Sequence, residues 1–401
     1  MASSLGLGRA ALAVMAAAAG ITVANVYLCQ PLLAAIALDF HLSAAQAGWV
    51  ASAAQVGYAL GIMLIVPMAD RADPRRLIQR LLACTCVALL CAAASPNIYC
   101  LVLAAVAVSL STVLPQVLIP LAVAASEPGR SGRVVGSMQS GIILGILLSR
   151  TLSGAVGQYS GSWRTSYLLA AALSGTMWFV LPRFLPARAQ AATVATSYLG
   201  LLASLPRLLF QWHGLRLSAA LGATVFGAFS AFWATLAFHL AQAPFHFGPA
   251  QAGLFGLWGL LGALLAPYGG RLSDRYGANV VSAMGVAAAA LAFTLFITLG
   301  DRSVLALVIG VNFLDFGNQA GQIANQARIF KLDPAARARL NTVYMVLTFA
   351  GGASASLLAL WAWDRGGWSG VGMVGAILLA LAALLLLLDW LRARVLRSRS
   401  S

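Results

Sequence analysis

Acidic side chains are scarce in this chain, which has ten Asp and Glu in 401 residues against 25 Lys and Arg. Charges of both signs make up only 9% of the sequence, where a soluble protein carries about a quarter. So few charges cannot cover a water-facing surface, which excludes a soluble enzyme of two or three domains. Histidine is equally rare. His41, His239 and His246 sit near one end of the apolar runs and His213 near the other, so no convergent His and acid cluster exists for enzyme chemistry in the membrane. The five cysteines (Cys29, Cys84, Cys86, Cys91, Cys100) lie in apolar stretches without His or acidic neighbours. The Cys84–Cys86 spacing matches no zinc or redox motif, so they read as small helix residues, and neither metal nor cofactor is expected. A nucleotide loop of the form G-x-x-x-x-G-K-[ST] is also missing. Any work this protein does must draw on a gradient.

What is present is apolar sequence, 61% of residues with a mean hydropathy of +0.88. Those residues must face something apolar, and a bilayer is the available solvent, crossed by about 20 residues of helix. The stretches long enough are Ala10–Ile36, Ala45–Met68, Leu77–Ala94, Ile98–Ala122, Val134–Gly157 and Trp163–Leu181 in the first half. In the second half they are Leu215–His239, Gln251–Tyr268, Val280–Leu299, Val304–Gln326, Leu340–Trp363 and Val371–Asp389. The first begins like a signal peptide, with Arg9 ahead of an apolar run, but it is too long for one and is expected to be kept as a span. An all-α membrane protein of twelve transmembrane helices is predicted. Its six-helix bundles occupy 1–181 and 215–391, joined by a linker over 182–214 and followed by a basic tail over 392–401. Part of the linker, Leu199–Trp212, is expected to lie along the membrane surface.

The net charge of +15 suggests a nucleic-acid partner only until the arginines are located. They punctuate the apolar runs instead of clustering. With the N-terminus in the cytosol, 21 basic residues fall on the inner side and three (Arg164, Arg302, Arg365) on the outer side. The positive-inside rule therefore places both termini in the cytosol. The expected partners are the lipid bilayer, a small-molecule substrate and protons, for a chain acting as a monomer, with no nucleic acid.

The halves repeat one another. Phe40–Gly48 reads F-H-L-S-A-A-Q-A-G and Phe245–Gly253 reads F-H-F-G-P-A-Q-A-G, six identities in nine at an offset of 205. Met68-Ala69-Asp70-Arg71 recurs as Leu272-Ser273-Asp274-Arg275, and Gly161-Ser162-Trp163 as Gly366-Gly367-Trp368. Because six helices return the chain to its starting side, the two halves are expected in the same orientation.

Twelve spans, parallel halves and a D-R loop after the second helix of each half resemble the major facilitator superfamily. Its loop signature is approximately G-x-L-A-D-R-x-G-R-R. The copy Gly270-Arg271-Leu272-Ser273-Asp274-Arg275-Tyr276-Gly277 follows it until Ala278 and Asn279 replace the basic pair. The first copy keeps Asp70, Arg71, Arg75 and Arg76, with Val66 and Asp73 at the glycine positions. More narrowly, Thr22-Val23-Ala24-Asn25-Val26-Tyr27 followed by Gln30-Pro31-Leu32-Leu33 is similar to a branch of bacterial efflux permeases and drug:proton antiporters. The resemblance implies a transporter of the bacterial cytoplasmic membrane, with Asp70, Arg71, Arg75, Arg76, Asp274 and Arg275 as a charged cytosolic gate between the halves. The same charges would also serve simply to hold these loops inside.

Nine of the ten acids lie at or near the ends of the spans; Asp315 falls at the midpoint of the tenth. An ionised carboxylate there costs a few kcal/mol or more, which makes it a functional candidate. Asn312, Asp315, Gln319, Gln322 and Gln326 repeat at helical spacing and share one face. Such a stripe lines water or substrate, or else bonds to another polar helix. Arg150 is the other intramembrane charge, sixteen residues past Val134, or about 24 Å along the helix. Ser149-Arg150 stands where the antiporters' fifth-helix motif, approximately G-x-x-x-G-P-x-x-G-G, has Gly-Pro. An Arg150–Asp315 pair is geometrically open, and both residues are candidates for proton coupling. Further cavity candidates are Asn25, Tyr27 and Gln30 in the first span, Gln116 in the fourth, and Phe229 and Trp233 in the seventh; the resemblance places the first, fourth, seventh and tenth helices around the substrate. The expected function is a secondary active transporter working by alternating access, either proton-coupled efflux or proton-coupled uptake of a small organic anion.

Overall fold

The computed structural model describes residues 8–69, 72–127, 130–185, 198–262, 271–273, 275–333 and 336–398. Among them the regular structure is helical. The elements used below are α1 (Arg9–Tyr27), α2 (Leu33–Phe40), α3 (Ala44–Ala47), α4 (Trp49–Leu64), α5 (Val66–Ala69), α6 (Pro74–Ala93), α7 (Ile98–Ser111) and α8 (Leu114–Ala124). They continue with α9 (Ser131–Tyr159), α10 (Trp163–Val180), α11 (Tyr198–Gln211), α12 (His213–Ala241) and α13 (Pro249–Trp258). The last three are α14 (Ala278–Leu299), α15 (Val304–Ile329) and α16 (Arg337–Ser398). Ten helical stretches among the described residues are long and apolar enough to cross a bilayer. The last, Arg337–Val395, is 59 residues long and holds two predicted spans, with a non-helical joint at Gly367 (φ 55°, ψ −144°). The eighth predicted span, Gln251–Tyr268, runs partly through 263–270, outside the described residues. The protein has the all-α, twelve-helix fold that its sequence predicts.

Several predicted spans are broken where proline removes a backbone donor. The first stops at Tyr27, passes through a 3-10 turn at Gln30–Leu32 containing Pro31, and resumes as α2. The fourth breaks between α7 and α8, just before Pro115. These breaks matter because they fix side chains at bends instead of along a uniform helix face.

The chain forms two compact units. One comprises residues 1–42, 49–202 and 247–257, the other 43–48, 203–246 and 258–401. In the first, α1 crosses α9 at backbone distance. A Cβ at Gly20 would overlap the Gly141 carbonyl oxygen, and one at Gly145 would overlap the backbone of Gly20. Small residues permit such approach in a bilayer, where packing and hydrogen bonding hold helices together. Met15, Ala18, Ile78, Leu82, Leu118 and Met138 form the apolar core around this crossing. In the second unit α12 is buried along nearly its whole length and packs on α16 at Gly222 and Gly351. There α14 meets α15 at Gly285 and Gly317.

The sequence repeat has a structural counterpart. His41 and His246, 205 residues apart, both adopt left-handed backbone, with φ of 54° and 49°. The backbone N–H of Ser43 donates to Gln46 Oε1 at 3.1 Å, and that of Gly248 to Gln251 Oε1 at 3.1 Å. Each half thus turns on a left-handed histidine and caps the next helix with the same glutamine. A side chain at positive φ is strained by roughly 1–2 kcal/mol, and a β-branched one more so. Thermal unfolding in detergent should accordingly find His41→Gly as stable as the parent or about 1 kcal/mol more so, and His41→Val about 2 kcal/mol less stable. Equal losses in both variants would show that the imidazole, not the backbone, matters.

Candidate functional site

In the first unit, Arg150 lies within α9 and is 1% exposed. Its Nε donates to Gln30 Oε1 at 2.7 Å, and its guanidinium carbon stands 5.1 Å from the centre of the Tyr27 ring. The break at Pro31 is what brings this about. Tyr27 ends α1, Gln30 opens the 3-10 turn, and both are buried at the level of Arg150. A buried charge is tolerated when hydrogen-bonded, and a cation over an aromatic face adds about 1–2 kcal/mol. The N-terminal part of the eighth span, α13, packs on the same stretch of α9 through Gly253 and Gly256, where a Cβ would press on Arg150. Thr151 Oγ1 donates to the Gly253 carbonyl at 2.9 Å, and the Ala250 N–H donates to Gln158 Oε1 at 2.8 Å.

In the second unit, Asp315 is 6% exposed on α15. It faces an interruption in the eighth span: α13 ends at Trp258, residue 259 is a turn and 260–262 are again helical. A Cβ at Gly259 would overlap Asp315 Oδ2, so the glycine makes room for the carboxylate. Asn312, one turn earlier on α15, spans the interruption. Its Nδ2 donates to the Trp258 carbonyl at 2.7 Å, and its Oδ1 accepts from the Gly262 N–H at 3.0 Å. The carboxamide satisfies one carbonyl and one N–H at the interruption, and groups left unsatisfied in a bilayer cost several kcal/mol each. Asn312 therefore joins two helices and holds open the gap into which Asp315 points.

The remaining residues of the predicted stripe also meet protein. Gln322 Nε2 approaches Met345 Sδ at 3.8 Å, Gln326 Nε2 donates to Asn341 Oδ1 at 3.1 Å, and Gln319 is half-buried. Gln322 with Asn318 and Asn325 also borders a cavity of about 20 Å³, room for about one water. Of the two readings the stripe allowed, interhelical bonding describes Asn312 and Gln326. Phe229 and Trp233 belong to an aromatic core, with Phe226 stacked on Phe229 at 5.6 Å and Phe229 tilted against Trp233 at 6.1 Å. Gln116 bonds the Tyr58 phenol, and Asn25 borders a groove in the first unit. Of the gate motif, Asp70, Arg71 and Asp274 lie outside the described residues. Arg75 Nη2 donates to the Leu185 carbonyl at 2.5 Å, Arg76 meets Asp73 at 3.7 Å on the surface, and Arg275 sits 5.2 Å from the Tyr276 ring.

One constellation escaped the sequence reading. Arg328, counted there only as a loop charge, donates to Asn279 Oδ1 from Nη2 at 2.8 Å and from Nε at 3.2 Å. It also reaches Asn325 Oδ1 at 2.6 Å and Ser218 Oγ at 2.8 Å. Asn279 Nδ2 in turn donates to Asp389 Oδ2 at 2.9 Å, and His213 Nε2 lies 3.0 Å from Asp389 Oδ1. The cluster ties the basic ends of α12, α14, α15 and α16 together. The available signal was Asn279 itself, standing where the loop signature has a basic residue.

A polytopic helical protein that buries an acid and an arginine beside interrupted helices is built as a membrane transporter. The chain belongs to the Major Facilitator Superfamily, whose family model matches residues 12–317 and 219–400. It is 39% identical over 386 residues to an Escherichia coli protein named as the uncharacterized transporter YgaY, covering 96% of both chains. It is 35% identical over 374 residues to a Streptomyces coelicolor protein named as the probable transporter SCO4007, covering 93% of this chain and 86% of the other. Among solved structures, the nucleoside transporter NupG superposes with a TM-score of 0.69 at 16% identity, over 94% of this chain and 97% of that one. The human organic anion transporter MFSD10 gives 0.72 at 16%, over 94% and 99%. These proteins are all named as transporters, and the chain is a multi-pass membrane protein of the same superfamily.

Proposed function

We propose that this protein is a secondary active transporter that exports a small organic solute by alternating access, driven by protons through Asp315. Both termini are in the cytosol of a bacterial cell, and Asp70, Arg71, Arg75, Arg76, Asp274 and Arg275 latch the cytosolic side. The observation that carries the reading is Asp315, a carboxyl 6% exposed and opposed by the side-chain-free Gly259 at an interrupted helix. A carboxyl buried at this depth must hold either a proton or a compensating partner, so exchanging one for the other requires the helices around it to rearrange. That links proton release to the transport cycle. Purified protein in proteoliposomes with little buffering tests the reading. Adding a transported compound should move protons opposite to the solute, and transport without proton movement would refute it.

A second reading, proton-coupled uptake of a small organic anion, is favoured by one observation, the Arg150 guanidinium buried beside Gln30 and Tyr27. If an anion binds at Arg150, Arg150→Gln should weaken uptake of anionic compounds about 30-fold or more while Arg150→Lys retains part of it. Cationic and neutral compounds should be affected equally by both variants. A uniform loss across all charges would assign Arg150 to the scaffold.

A further inference from the structure

A groove of about 850 Å³ runs along the first unit between α1, α9 and α10. Its walls are mainly apolar, with Ile21 of α1, Leu144, Leu148 and Leu152 of α9 and Leu169 and Leu173 of α10, while Asn25, Ser149, Ser153 and Ser166 line the end away from Arg9. Leu144, Leu148 and Leu152 are 51%, 41% and 46% exposed, so in a bilayer they meet acyl chains. Along α1 the lining extends from Arg9 to Leu28, about 28 Å, which is close to the thickness of the hydrocarbon core. One end is different. Arg9, Arg130 and Arg133 gather there with a single acid, Glu127, which Arg130 pairs at 2.9 Å. The mouth is therefore basic by two charges. It also lies at the N-terminus of the 29-residue α9, where the helix dipole favours an anion. Ser137, one turn beyond Arg133, adds a hydroxyl just inside the mouth.

We infer that this groove is a binding site for one anionic phospholipid. The phosphate sits among Arg9, Arg130 and Arg133, and an acyl chain lies along the leucines of α9 and α10. Charge complementarity commits the site to this occupant. A neutral amphiphile would leave the two net positive charges of the mouth uncompensated at the membrane surface, whereas basic pockets between transmembrane helices hold anionic headgroups. The site lies in one half only and involves neither Arg150 nor Asp315, and its basic mouth is at the opposite end from Asn25, so it acts as a lipid anchor for the α1–α9–α10 face.

Native mass spectrometry of the purified protein with equal phosphatidylglycerol and phosphatidylcholine of matched acyl chains tests the inference. The parent should retain phosphatidylglycerol about tenfold over phosphatidylcholine. The triple variant R9Q/R130Q/R133Q should bind both about equally, and Leu148→Trp, which fills the groove, should lower retention of both about fivefold or more. The comparison variant R207Q/K331Q/R394Q, which removes three exposed basic residues elsewhere, should keep the tenfold preference. High salt on the unaltered protein should remove the preference, a reading that does not depend on any variant folding. Equal loss in the comparison variant would assign the preference to overall surface charge and overturn the site. Persistence in the triple variant, undiminished binding in Leu148→Trp, or a retained amphiphile without a phosphate would overturn it as well. So would competition by glycerol phosphate, which would mark the arginines as a site for soluble phosphate.

Discussion

Replacing Gly145 with alanine should destabilise the protein by about 3 kcal/mol, and replacing it with leucine should prevent the first unit from assembling. The reason is geometric. A Cβ at position 145 would overlap the carbonyl oxygen, carbonyl carbon and Cα of Gly20, all backbone atoms with no rotamer to escape into. One turn away, Gly141 stands in the same relation to the Ala16 carbonyl, so the helices cannot slide along their axes to relieve the clash. They would have to separate, and the packing of Met15, Ala16 and Ala19 against α8 and α9 would be lost with the separation. Gly136 belongs to the same helix and has open space where a Cβ would go. Gly136→Ala should therefore be no less stable than the parent, and thermal unfolding of the two alanine variants side by side separates close approach from helix propensity. Equal stability would show that α1 and α9 do not depend on this contact.

The second large effect is expected at Asp315. Asn is nearly isosteric, so Asp315→Asn should fit the space beside Gly259 and leave expression and folding unchanged. It removes the proton site while retaining a neutral polar side chain like that of the protonated acid. Gradient-driven transport should fall to the level of protein-free vesicles. Exchange of solute for solute should persist, because it requires only the solute-loaded conformations to interconvert. Loss of both activities would instead identify Asp315 as part of the scaffold that supports the interrupted eighth span.

The spans and the repeat were readable in the sequence because a bilayer imposes about 20 apolar residues per crossing whatever the tertiary contacts. The left-handed His41 and His246 were present as two copies of F-H, though nothing local marked their φ. Sequence separation hid the rest. Gln30 and Arg150 are 120 residues apart, and their bond exists because Pro31 bends the chain beside Tyr27, a consequence that spacing along one helix does not contain. The helical spacing puts Asn312 on one face with Asp315, but a face pattern does not show that its carboxamide bonds across an interruption in a different helix. Phe229 and Trp233 illustrate the opposite case. Their helical spacing was equally compatible with a cavity or a core, and they lie among stacked aromatic rings. The three arginines of the lipid groove were counted for orientation alone, because Arg9 and Arg130 come together only after α1 and α9 cross.

The central claim is that Asp315 carries the coupling proton, and counting protons against solute tests it most directly. Parent and Asp315→Asn proteins, reconstituted in weakly buffered vesicles, would be given a transported compound while external pH and labelled solute are followed together. The parent should move about one proton against each solute, the number one titrating carboxyl can carry. The variant should move none while still exchanging labelled solute. An unchanged proton count in the variant would contradict the assignment and require another group to carry the proton.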